Sequence, residues 1–271
     1  MTEDYLRRIA DALDRLAPPP AATADLAAHP AYVWRRGGIA AARNFAPLPV
    51  DLLIGIDRQK AALVENWRRH AAWGAAHDVL LWGARGSGKS ALVKSALAQV
   101  RRDGGDIALI DVATHDDLPA LFALLGDFDR RFVLFLDDLG FDGTAGARWL
   151  RSLLDGGAEA RPDNVRLAVT SNRRHLLPRD IAEQASAINP RDAVDDQLAL
   201  ADRFGLALGF HALDQDGYLA IVAAYAAHYA VQAQRDDALE WAIRRGSRSG
   251  RVAWQYIVDA AGRAGQRLHD H

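Results

Sequence analysis

From Leu52 onward the chain alternates short apolar runs with longer stretches whose apolar residues recur every three or four positions. The runs predict strands over 79–82, 107–111, 132–136, 165–170 and 206–210. The stretches between them predict helices near 57–73, 89–101, 117–125, 144–154 and 192–203. Such alternation marks a parallel sheet covered on both faces, because each crossover helix lies over one face and shields it from water. After Asp214 only helical periodicity remains, near 216–230, 236–245 and 250–264. The expected architecture is a five-stranded parallel α/β sheet flanked by helices, then a small helical domain.

The first 51 residues read differently. Leu6, Ile9, Leu13 and Leu16 form one apolar stripe over residues 4–16, a helix that either docks elsewhere or rests on its own domain. Pro18-Pro19-Pro20 ends it, and an Ala/Pro-rich linker is expected to about Pro30. Residues 31–50, with Trp34-Arg35-Arg36-Gly37-Gly38 and two prolines, are expected to be irregular. The expected division is an N-terminal region at 1–51, an α/β core at 52–212 and a helical domain at 213–271.

Composition narrows the function classes. With 271 residues, 50% of them hydrophobic, the chain is long enough for one large core and a small satellite. A net charge of −2 gives no global electrostatic case for nucleic acid or an anionic membrane. Cysteine is absent, which excludes disulfides and thiolate metal sites. No apolar run approaches the roughly 18 residues of a membrane span. Met1-Thr2-Glu3-Asp4 opens the chain without a basic segment or apolar stretch, so a cytoplasmic protein is expected. The nine histidines form no HExxH or tight metal cluster.

Lysine is scarce, confined to Lys60, Lys89 and Lys94, and one of the three falls in a motif. Gly83-Ala84-Arg85-Gly86-Ser87-Gly88-Lys89-Ser90 fits G-x-x-x-x-G-K-[ST], between a predicted strand and a predicted helix that begins Ser90-Ala91. Glycines let the backbone curl round an anion, and loop N–H groups and the helix dipole then point at phosphates. Lys89 would carry charge to the β- and γ-phosphates of ATP, and the Ser90 hydroxyl would bind Mg²⁺.

Two further strand ends carry polar groups. Phe132-Val133-Leu134-Phe135-Leu136 suits a strand buried on both faces, and Asp137-Asp138 follow where open α/β sheets bind ligands. In this Walker B pattern Asp137 would hold Mg²⁺ and Asp138 would polarise the attacking water. Aspartate is one methylene shorter than the glutamate usual at the second position, so an extra water or nearby Asp142 would assist. The next strand ends Thr170-Ser171-Asn172. If that strand is inserted between the other two, Asn172 would hydrogen-bond the γ-phosphate or the lytic water.

At Leu200–Leu206 the sequence Leu-Ala-Asp-Arg-Phe-Gly-Leu resembles the arginine-finger segment of AAA-type ATPases. Ser249-Gly250-Arg251 resembles their sensor 2 arginine, and Ile54-Gly55-Ile56-Asp57 the segment that cups adenine. Together with Leu80–Ser90, Phe132–Leu139, 160–165, Thr170–Arg179 and Gly246–Gln255, these segments resemble a bacterial AAA-type (AAA+) P-loop ATPase family known as a domain of unknown function. The resemblance covers 52–262. It implies Mg²⁺-ATP binding and hydrolysis in a homo-oligomer, commonly a ring, with Arg203 reaching a neighbour's nucleotide. Arg173 and Arg174 compete for that role. Arg251 would act within its own subunit, from a helical lid. The expected activity remodels or loads a macromolecular client. The alternatives are a slow ATP-dependent switch or scaffold and, less well matched, a small-molecule P-loop kinase.

Overall fold

The structure, a computed structural model, describes Tyr5 and residues 24–35, 38–113, 118–138, 150, 153–154, 161–172 and 202–268. The expected helix at 4–16, most of those at 144–154 and 192–203, Asp142, Arg173, Arg174 and the His269-Asp270-His271 tail lie outside the described residues.

Among the described residues seven strands form one sheet: β1 (Ala31–Arg35), β2 (Gly38–Ala41), β3 (Val79–Gly83), β4 (Ile107–Val112), β5 (Arg131–Leu136), β6 (Val165–Ser171) and β7 (Leu206–Phe210). Their spatial order is β2-β1-β4-β5-β6-β3-β7, and only the β1–β2 pairing is antiparallel. The five expected strands are all present. The expectation of five is nevertheless corrected to seven, because residues expected to be irregular form a hairpin on the sheet's edge. Its physical basis is legible in hindsight. Ala31-Tyr32-Val33-Trp34 is an aromatic and β-branched run, and Arg35 pairs with Gly38 across a two-residue connection. Buried Tyr32, Trp34 and Ile39 then extend the core outward from β4.

Every side chain of β5 is buried, and the two-residue period of a strand divides them between the faces. Phe132, Leu134 and Leu136 join one apolar cluster with Leu80, Trp82 and α3 (Leu118–Gly126). Val133 and Phe135 join the other, under α1 (Asp57–Ala71) and α2 (Lys89–Arg102). A third cluster holds together α4 (Gln215–His228), α5 (Arg235–Arg244) and α6 (Gly250–Arg263) around Tyr218, Tyr256 and Ile257. Leu48, Leu52 and Ile54, from the segment leading into α1, pack against that cluster. Among the described residues no helix is long and apolar enough to cross a membrane.

The first and last helices of this unit each start at a side-chain cap. Asp214 accepts the Gly217 N–H at 2.8 Å to start α4, and Ser249 Oγ accepts the Val252 N–H at 3.2 Å to start α6.

Candidate functional site

The strand order decides what meets at the carboxyl end of the sheet. Strand β6 lies between β5 and β3, the arrangement on which the Asn172 expectation depended. Ser171 is level with Trp82, so the residues ending β6 lie beside the P-loop on one side and Asp137 on the other.

The loop itself turns on glycine. Gly83, Gly86 and Gly88 have φ of 127°, 74° and 94°, a range that side-chain-bearing residues rarely adopt. At Gly83 a Cβ would lie 2.0 Å from the Phe210 carbonyl oxygen, so only glycine lets β3 leave the sheet there. At Gly86 a Cβ would lie 2.9 Å from the Ser249 Cβ, because the start of α6 rests directly on the loop. The Gly250 N–H donates to the Gly86 carbonyl at 3.1 Å, a backbone link between helical unit and P-loop.

A chain of hydrogen bonds connects the polar side chains. Lys89, only 5% exposed, donates to the carbonyls of Gly83 at 3.0 Å and Ala84 at 2.8 Å, and to Asn172 Oδ1 at 3.0 Å. Burial pushes its ammonium below the ordinary lysine pKa, and the carboxylates of Asp138 and Asp137 oppose that shift. Asn172 Nδ2 donates to Asp138 Oδ1. Ser90 Oγ and Thr170 Oγ1 each lie 2.6 Å from Asp137 Oδ1, and Asp138 N–H donates to Thr170 Oγ1 at 2.8 Å. Asp138 adopts φ 53°, a left-handed conformation uncommon outside glycine.

Above these groups lies a cleft of about 320 Å³. Of the residues expected at the nucleotide, Arg85, Gly86, Ser87, Gly88, Lys89, Ser90, Ala91 and Ile54 line it. Asp137, Asp138, Asn172 and Arg251 line it too. Gly83 and Ala84 do not, but their carbonyls receive Lys89. Gly55 does not either; its φ of 78° turns the chain between Ile54 and Ile56, which both face the cleft. Arg203 is elsewhere. It precedes β7, whose Leu206 is level with Val79, at the opposite end of the P-loop strand from Lys89.

The sequence reading missed the apolar wall: Leu48 and Leu52 before α1, and Leu213, Ile221, Tyr225 and Trp254 from the helical unit. Nothing in their spacing separates them from ordinary core positions. The Tyr225 and Trp254 rings meet edge-on with centroids 6.0 Å apart.

These residues fit Mg²⁺-ATP. One wall is apolar and aromatic, suited to a base, and the floor offers a lysine and positive-φ glycines, suited to phosphates. The hydroxyl–carboxylate pair of Ser90 and Asp137 is a hard oxygen set. Mg²⁺ takes one or two protein oxygens and completes its shell with phosphate and water.

The fold is of the AAA+ P-loop NTPase class. Within that class the chain belongs to the family described as protein of unknown function (DUF815), whose model matches residues 27–264. No curated protein matches it. Among solved structures it is similar to the RuvB Holliday junction branch migration motor of Thermotoga maritima, at 18% identity and TM-score 0.53, covering 83% of this chain and 70% of that one. It is also similar to the ORC1 protein of Aeropyrum pernix in complex with DNA, at 15% identity and TM-score 0.54, covering 85% and 68%. At such identities the likeness concerns the fold.

Proposed function

We propose that this protein is an AAA+ ATPase that binds Mg²⁺-ATP between an α/β core and a helical lid and hydrolyses it as a homo-oligomer to remodel or load a macromolecular client. The observation that carries the reading is the convergence of Lys89, Ser90, Asp137, Asp138, Asn172 and Arg251 on one cleft, from four separate stretches of sequence. Bound Mg²⁺-ATP supplies a γ-phosphoryl group open to attack by water. Ser90 and Asp137 would hold the metal, Lys89 would exchange its carbonyl partners for phosphate oxygens, and Asp138 with Asn172 would orient the water. Arg251 enters from the lid and closes it on the occupied cleft.

Arg203 points to assembly. Its place at the far end of the P-loop strand suits a finger offered to a neighbouring subunit, where a guanidinium meets charge spreading over the γ-phosphoryl oxygens. ATP turnover measured against protein concentration tests this. Turnover per subunit should rise as subunits associate, and Arg203→Ala should keep nucleotide binding while losing about a thousandfold in rate. Full rates in that variant place the finger elsewhere.

One observation favours a second reading, a slow switch whose output is conformation. Asp138 is one methylene shorter than glutamate, and its carboxylate is engaged by Asn172. A low rate independent of concentration, with tight ATP binding, would select the switch.

A further inference from the structure

We infer that Thr170, buried on β6, is a positioning residue that sets both acidic groups at the end of β5, an inference that rests on the nucleotide reading above. Its side chain is 2% exposed and belongs to neither the P-loop nor the Asp-Asp pair. The hydroxyl has one proton to give. Because Oγ1 accepts the Asp138 N–H at 2.8 Å, that proton is directed to Asp137 Oδ1, 2.6 Å away. Ser90 Oγ also lies 2.6 Å from the same oxygen. With Thr170 and Ser90 both on Oδ1, the carboxylate cannot rotate freely, and Oδ2 is left unengaged by either hydroxyl for a cation or its water.

The second bond acts on the backbone. Asp138 has φ 53° and lies just beyond the end of β5, outside any described helix or strand. The Thr170 hydroxyl ties down its N–H, and the turned backbone is what brings the Asp138 carboxylate within reach of Asn172. One hydroxyl therefore serves the metal-binding carboxylate through its hydrogen and the water-orienting one through its oxygen. Strand order makes this possible. Only a strand inserted between β5 and β3 reaches Asp137 from the side facing the P-loop.

The test uses the full chain and a fluorescent ATP analogue, with binding titrated at increasing Mg²⁺ and in excess chelator. Thr170→Val keeps the branched shape and removes both bonds. Thr170→Ser keeps both and removes only a methyl group. The valine variant is expected to need about tenfold more Mg²⁺ for half-maximal enhancement of binding, with its affinity in chelator within about twofold of wild type. Serine should restore the Mg²⁺ requirement to within about threefold of wild type. A valine variant with an unchanged Mg²⁺ titration overturns the inference. So does a serine variant as impaired as valine, since packing of the methyl group would then explain the loss. If valine does not fold, serine still decides: a normal Mg²⁺ requirement supports the hydroxyl's role and a raised one refutes it. Wild-type protein that binds no nucleotide at any Mg²⁺ concentration overturns the proposed function, and this inference with it.

Discussion

The floor and the wall of the cleft are built by different physics. The floor is polar, closely hydrogen-bonded and supplied mainly by residues beside the P-loop and at the ends of β5 and β6. The wall is apolar and aromatic and is assembled from Leu48, Ile54, Leu213, Ile221, Tyr225 and Trp254, which span most of the chain. Floor contacts are directional and act on charge, so losing one partner leaves another buried group unsatisfied. Wall contacts are nondirectional and scale with area, so each is worth less and tolerates substitution. Phosphate recognition should therefore be brittle and base recognition forgiving.

The largest break of the floor is Lys89→Ala. Nucleotide affinity should fall by about a hundredfold or more by equilibrium binding, because a buried ammonium and its charge-assisted bonds are lost together. Retained affinity would remove the P-loop assignment. Asp137→Ala comes next, and should abolish most of the Mg²⁺ enhancement of binding, about tenfold, while leaving chelator-state binding nearly intact. The measurement is a metal titration, and an unchanged curve would take Asp137 out of the metal site.

Gly86→Ala probes the seam between floor and wall. Strain at φ 74° and a 2.9 Å approach to Ser249 should cost about 1–2 kcal/mol in denaturant unfolding. It should also weaken binding by loosening α6 from the loop. On the wall, Trp254→Ala should lower affinity about three- to tenfold, with the loss shared between ATP and a purine nucleoside lacking phosphates. If its effect matched that of Lys89→Ala, the contrast between brittle floor and forgiving wall would be wrong.

Much of this contrast could be read from sequence on the floor and little on the wall. The P-loop works through backbone geometry that only glycine permits and one lysine, so its chemistry is written in eight consecutive residues. Asp137 and Asp138 were legible because they follow a buried strand that comes after a P-loop; two solvated acids at a strand end would by themselves be common. Thr170 was not, since a threonine in a β-branched strand reads as packing until its neighbour across the sheet is known. Tyr225 and Trp254 lie on helices whose faces look like ordinary core. The β1–β2 hairpin was missed for a related cause: Gly37-Gly38 and the prolines suggested a loop, while burial against β4 favoured strands.

Local sequence determined the five strands expected between 79 and 210, the described helices around them and where a phosphate could be held, because backbone conformation and hydrophobic period depend on near neighbours. It did not determine that β6 runs between β5 and β3, that α6 rests on Gly86, or that Arg203 lies at the opposite end from its own cleft. Those relations join residues scores of positions apart. Only burial of the two sheet faces and of the helical unit's own core selects one spatial order among those the chain could adopt.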